Sequence, residues 1–319
     1  LNLGLKSIDL IPRLHCQDLC SPCLNLGCLC LGIAMALVAA FPIFWVLLLT
    51  QVVSAAGYTF LSGAQQAWLA DEVGEDRAAH LYLLGSQYGR AAGIAGIGAT
   101  ALLAPLGLAI PILVGSAVTL MLALYLWLRM PEDGFSPASQ GERETWATLS
   151  GTFRQGLREV RASRVLTLLM LAALLYGASS EALDRLNEFL LVREVGLPGG
   201  LSAANWFIVL TLAAQVIGLG VTEPLRRRIN PADVRAAAAA LRWVLGLSVA
   251  ALLAFAYAPG FGWAALALVI HGVLRGLYSP LYDAWINRGL HPASRATVNS
   301  IASQADALGQ VTFGPIFGV

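Results

Sequence analysis

Nine apolar runs occupy most of this 319-residue chain, and each approaches or exceeds the length of about 20 residues that a helix needs to cross a bilayer. They fall at about 24–41, 43–69, 80–104, 106–130, 164–190, 201–225, 233–257, 261–287 and 297–319. Composition agrees: 57% of residues are hydrophobic, 12% are charged, and the mean hydropathy is +0.70. An ordinary soluble domain is excluded at that level. The runs lack the alternation of lipid-facing barrel strands and are longer than such strands. Helices are the remaining way to satisfy the backbone in lipid. The expected fold is all-α and integral to the membrane, with about nine transmembrane helices.

The net charge of +1 conceals a sorting of its carriers. If the spans alternate in direction, one set of connections, near Phe41–Pro42 and at 105–111, 191–200 and 258–261, holds a single basic residue, Arg193. The other set holds Arg77, then Arg129, Arg143, Arg154, Arg158, Arg161 and Arg164, then Arg226, Arg227, Arg228, Arg235 and Arg242, then Arg288 and Arg295. The positive-inside rule puts this second set in the cytoplasm. Nucleic-acid binding is not expected, because the arginines sit at span ends without interleaved aromatics.

A sparse pattern occurs twice, 217 residues apart. The first copy reads S-G-A-Q-Q-A-W-L from Ser62, then Arg77-Ala78 and Ser86-Gln87; the second reads S-P-L-Y-D-A-W-I from Ser279, then Arg295-Ala296, which slips by one, and Ser303-Gln304. Two related halves are the expectation, with the copies forming a symmetric hinge end and Trp68 and Trp285 serving as interfacial or packing anchors. Between the halves, residues 131–163 open with the turn-rich P-E-D-G-F-S-P. They then place Trp146, Leu149, Phe153, Leu157 and Val160 on one helical face, opposite Arg154, Arg158 and Arg161. Such a helix either lies on the membrane surface with its arginines toward anionic head groups or packs as a connector on the bundle ends.

The stretches S-G-A-Q-Q-A-W-L-A-D-E (62–72), S-S-E-A-L-D-R-L (179–186), R-G-L-Y-S-P-L-Y-D-A-W-I-N-R-G-L (275–290) and R-A-T-V-N-S-I-A-S-Q-A-D-A-L-G-Q (295–310) resemble the major facilitator superfamily of secondary transporters, in particular its drug-efflux-like bacterial members. The resemblance covers about 30–319. It implies a twelve-helix, two-bundle fold in which these spans are helices three to eleven, joined by a long cytoplasmic loop, with the repeat at corresponding positions. It divides the chain into an anomalous tract at 1–27, a remnant of the first bundle at 28–130, the central loop at 131–163 and the second bundle at 164–319. By the same comparison the chain looks truncated at both ends. The family's basic signature between helices two and three is absent, and a degraded counterpart between helices eight and nine is Gly220, Glu223 and Arg226–Arg228. The Gly-Pro signature of the antiporter branch is missing from helix five; the nearest match is at 309–318.

Polar residues within spans are expensive in hydrocarbon and mark candidate function. Glu181, Asp184, Arg185 and Glu188 sit three and four apart on about one helix face. Burial disfavours a carboxylate's charged form and a neighbouring arginine restores it, so a carboxylate whose arginine can move away is a candidate proton switch. Glu181 and Asp184 are the first choice for that role; a static ion pair is the alternative. Arg275 is expected to pair with Asp306. Gln65, Gln66, Gln87, Arg90, Gln215, Gln304 and Gln310 are candidate cavity-lining residues, although amides also join membrane helices. Gly85, Gly89 and Gly93 have the spacing of a close helix contact. Asp71, Glu72, Arg77, Asp283 and Arg295 are candidates for a cytoplasmic gate, with solvated helix ends as the alternative.

Cys16, Cys20, Cys23, Cys28 and Cys30 crowd beside His15, but the irregular spacing lacks paired C-x-x-C units, so no metal is expected. There is no signal-peptide pattern. Four histidines without an H-x-x-x-H pair, and no Gly-x-Ser-x-Gly turn or P-loop, argue against an enzyme and against ATP-driven transport. The expectation is a secondary active transporter of a small amphipathic solute, working by alternating access, exporting at the expense of a proton gradient and using no cofactor. A multi-pass monomer of the cell (inner) membrane is expected, with the bilayer and the solute as partners and no nucleic acid. A membrane fragment with a scaffolding or regulatory role, without transport, is the alternative.

Overall fold

The computed structural model describes residues 20–130, 146–228, 233–288, 290 and 292–317, and among these every regular element is helical. The helices are α1 (Cys20–Ala40), α2 (Phe44–Leu61), α3 (Ala64–Val73), α4 (Glu75–Leu103), α5 (Ala109–Arg129), α6 (Trp146–Ala162), α7 (Arg164–Phe189), α8 (Ala203–Arg228), α9 (Val234–Ala256), α10 (Phe261–Ile286) and α11 (Pro292–Phe317). Among the described residues, eight spans are long and apolar enough to cross a bilayer. The ninth, α11, is as long as its neighbours but carries Arg295, Asn299, Ser303, Gln304, Asp306 and Gln310, because it borders polar space inside the bundle.

Apolar length predicts these helices to within a few residues, and the differences have local causes. Helix α1 starts at Cys20, so the end of the cysteine tract supplies its first turns, and Cys28, a free thiol, is buried as a small hydrophobe. Residues 1–19 and the entry 131–145 of the central loop lie outside the described residues. The expected single span at 43–69 is two helices, because Gly63 breaks it with a φ of +81°. A side chain there would also collide: a Cβ on Gly63 would lie 2.7 Å from the Ala296 carbonyl oxygen. Helix α4 begins at Glu75, earlier than expected, with Glu75 and Asp76 in the first turn where the helix dipole favours them. Beyond Phe189, α7 runs on through a wider turn at Leu190–Val195.

Helix α1 packs on α2 and α5, α7 on α11, and α9 on α10; α4 lies mainly against α8 and α10, while α3 and α6 both lean on α11. The larger core gathers Leu83 of α4 with Leu169, Leu241, Leu277, Leu281 and Ile286, among others, with Trp285 packed at its edge. Large apolar side chains such as Trp45, Leu102, Trp127, Trp243 and Trp263 stand exposed around the outside, as lipid contact requires.

The glycines that permit close crossings are not those at 85, 89, 96 and 98, where an added Cβ would meet nothing within 4 Å. Gly93 meets only the Gln215 amide. The tight approaches are Gly27 against Gly57 between α1 and α2, and Gly177 and Gly309 between α7 and α11. Spacing finds glycine pairs but not the face that meets a partner.

Candidate functional site

Midway along the spans, α7, α8, α10 and α11 enclose a cavity of about 590 Å³. Its lining combines apolar side chains, Leu183, Phe207, Leu210 and Leu268, with the polar Asp184, Arg275, Asp306 and Gln310. A smaller cavity of about 240 Å³ adjoins it toward the arginine-rich end, and the two share Tyr176, Ser279 and Asp306. Gln66 of α3, together with Tyr278, Asp283, Asn299 and Ser303, lines this second space. Three buried oxygens on these walls, Gln66 Oε1, Tyr278 Oη and Asn187 Oδ1, have no hydrogen-bond partner within the protein. Buried polar atoms are otherwise almost always satisfied, so both walls are disposed to hold water or a polar solute.

The charged centre of the larger cavity is a pair between helices. Arg275 donates to both carboxylate oxygens of Asp184, at 2.6 and 2.8 Å. This bidentate geometry is the strongest form of the contact. The side chains are 39% and 47% exposed to the cavity, so the pair is accessible rather than sealed. The expected partner, Asp306, instead accepts from Gln310 one turn away at 2.8 Å. A same-helix amide at i+4 needs no interhelical fit, whereas Asp184 reaches Arg275 because α7 presents it across the cavity from α10.

Glu181 takes the local partner that its spacing suggests, Arg185 at 2.5 Å, but it does not line either cavity. Glu188 is exposed beyond it. Of the glutamines, Gln66, Gln215 and Gln310 line cavity walls. Gln65 and Gln304 are exposed, and Gln87 donates to Glu223 at 2.9 Å. Glu223 is also clasped by Arg226 and Arg227 on its own helix.

Arg90 is buried without a carboxylate. Its guanidinium crosses from α4 to donate to the carbonyls of Val273 at 2.8 Å and Ala214 at 3.4 Å, and to Gln215 Oε1 at 3.4 Å. It fits between Gly218 and Gly276, where any Cβ would overlap it.

At the arginine-rich end, Arg295 of α11 is 4% exposed and bonded to Asp71 of α3 and Glu75 of α4. Arg288 pairs with Asp76. The Ser300 hydroxyl donates to the Ser62 carbonyl at 3.3 Å, and the Gln66 side chain hydrogen-bonds Asp283. Of the residues expected at a cytoplasmic gate, Asp71 and Arg295 pair across helices, whereas Asp283 meets Gln66. Glu72 lies beside them, and Arg77 is exposed with no ion pair among the described residues. Spacing missed the stacked Tyr176 and Tyr278, 3.7 Å between ring centroids, and Tyr282 beside them. Their one-turn spacing on α10, at 278 and 282, was the available signal.

The sequence profile of the Major Facilitator Superfamily matches residues 21–314. A search of curated protein sequences finds no match. Among solved structures, the human organic anion transporter MFSD10 (TETRAN) superposes with a TM-score of 0.63 at 15% identity, covering 94% of this chain and 71% of that one. A bacterial homologue of the human lysosomal transporter Spinster, in an inward-facing and unoccupied conformation, gives a TM-score of 0.45 at 20% identity, covering 93% and 67%. The profile match spans nearly the whole chain, and the chain belongs to the Major Facilitator Superfamily.

Proposed function

We propose that this member of a family of membrane transporters carries a small amphipathic solute outward in exchange for protons, with Asp184 as the proton-responsive group. The observation that carries the reading is the Arg275–Asp184 pair, bidentate yet open to a cavity of about 590 Å³. Protonating Asp184 removes the charge that holds Arg275 and frees the guanidinium to turn toward Asp306 or toward a bound solute; deprotonation reverses it. The apolar lining of Leu183, Phe207, Leu210 and Leu268 suits an amphipathic solute, and Asp184, Arg275, Asp306 and Gln310 supply its polar contacts.

The two groups of helices, α1–α5 and α7–α11, are two bundles that rock against each other, with Gln66 of the first and Asp283 of the second both lining the smaller cavity and the arginine-rich connections in the cytoplasm. In this arrangement the ion pairs of Arg295 and Arg288 hold the cytoplasmic end shut, and a cycle must break them. The test uses the protein in proteoliposomes, with ethidium as the probe solute and an imposed pH gradient. Gradient-driven ethidium flux is expected in the wild type and in Glu181→Gln, and is lost in Asp184→Asn. Flux indifferent to the gradient, or unchanged in Asp184→Asn, sinks the coupling.

A further inference from the structure

We propose that the exposed edge of α6 is a docking surface for anionic phospholipid head groups. The helix has three distinct faces. Its inner face is committed to α11: a Cβ on Gly156 would lie 2.8 Å from Thr297 and 3.4 Å from Ile301, and Val160 is buried. Two polar contacts fix that seat, the Ser294 hydroxyl donating to the Glu159 carboxylate at 2.6 Å and the Thr167 hydroxyl donating to the Val160 carbonyl at 2.9 Å.

The outer face carries Arg154, Arg158 and Arg161, spaced by four and three so that they form one stripe. All three are exposed, and none takes part in an ion pair among the described residues. The one acidic side chain of α6, Glu159, is already occupied by Ser294. Between the stripe and the bundle stands Phe153, a large aromatic that is 54% exposed.

Position selects the partner. Only Ser163 separates α6 from Arg164, where α7 begins its span, so the stripe lies at the level where head groups sit. Guanidinium forks match phosphate oxygens bidentately, and an aromatic beside them settles into the interface. A free anion would satisfy the arginines and leave Phe153 in water; a lipid satisfies both. Because Glu159 holds Ser294, the residue before Arg295, docking of α6 also steadies the helix end that carries the Arg295 contacts.

The proposal rests on the membrane-spanning fold and not on the transport reading, so its failure leaves that reading untouched. It is tested by hydrogen–deuterium exchange of the protein in nanodiscs of phosphatidylcholine with and without phosphatidylglycerol. Phosphatidylglycerol is expected to protect the amides of 146–162, and rising ionic strength to remove that protection. Each surface arginine is worth a factor of about five in affinity for an anionic leaflet, so Arg154→Gln/Arg158→Gln/Arg161→Gln loses on the order of a hundredfold. The triple lysine variant retains most of the effect, which separates lost charge from lost folding, and α7 and α11 keep wild-type protection in both. Equal protection in the two lipids, protection indifferent to salt, or protection that survives the glutamine variant overturns the proposal. So does inorganic phosphate reproducing the effect in phosphatidylcholine alone, which would mark a free-anion site.

Discussion

The two copies of the repeat share a scaffold and differ in charge, and they meet each other. Gln66 of the first copy and Asp283 of the second hold corresponding positions, 217 residues apart, and hydrogen-bond across the interface. Gly63, where the first copy breaks into α2 and α3, corresponds to Pro280, which α10 passes through without a break. Position 71 is acidic and its counterpart 288 is basic. The first copy and its flank supply Asp71, Glu75 and Asp76; the second supplies Arg288 and Arg295. Symmetry brings the two ends together, and asymmetry makes them attract.

That comparison breaks most visibly at the arginines. Arg295→Ala leaves Asp71 and Glu75 without their shared cation, and loss of one partner of a buried pair costs about 3–5 kcal/mol. The thermal midpoint falls, and a cysteine placed at Ser300 becomes faster to label. Gly63→Ala comes next, at about 1–3 kcal/mol, because it combines a left-handed φ with a carbonyl 2.7 Å away. Its counterpart Pro280 has no such constraint, so Pro280→Ala does not lower the thermal midpoint.

Smaller effects sharpen the same contrast. Gln66→Glu sets a second carboxylate against Asp283 and is expected to destabilise by about 1–2 kcal/mol, while Gln66→Glu with Asp283→Gln exchanges the two groups and restores most of the loss in a chemical-denaturation cycle. Smallest is Arg77→Ala, within about 0.5 kcal/mol of wild type as for other exposed surface changes, although Arg77 is the sequence counterpart of Arg295. A loss at Arg77 comparable to that at Arg295 would end the asymmetric reading.

The spans were legible because hydrocarbon leaves so few options: long apolar runs must be helices, and α4 to α10 differ from expectation mainly at their ends. Local pairs were legible too, since Glu181 and Arg185 are neighbours by helix geometry alone. What did not show was anything requiring two helices to be placed in register. From sequence Arg275 is expected to meet Asp306, and only the placement of α7 against α10 gives it Asp184 instead. The break at Gly63 was hidden for the same reason, because its cause, the backbone at Ala296 and Ser300, is more than 230 residues away. Arg90 stood out as a mid-span charge, but its partners are carbonyl oxygens, which every sequence has and none displays.

Arg90, Gly218 and Gly276 form one heritable unit. The guanidinium fills the space that two absent side chains leave, so an alanine at either glycine has room only if the arginine shortens, and a shorter residue at 90 leaves a void only larger neighbours can close. Relatives of this chain are therefore expected to change these three positions together, along a path whose intermediate steps are each less fit than either end.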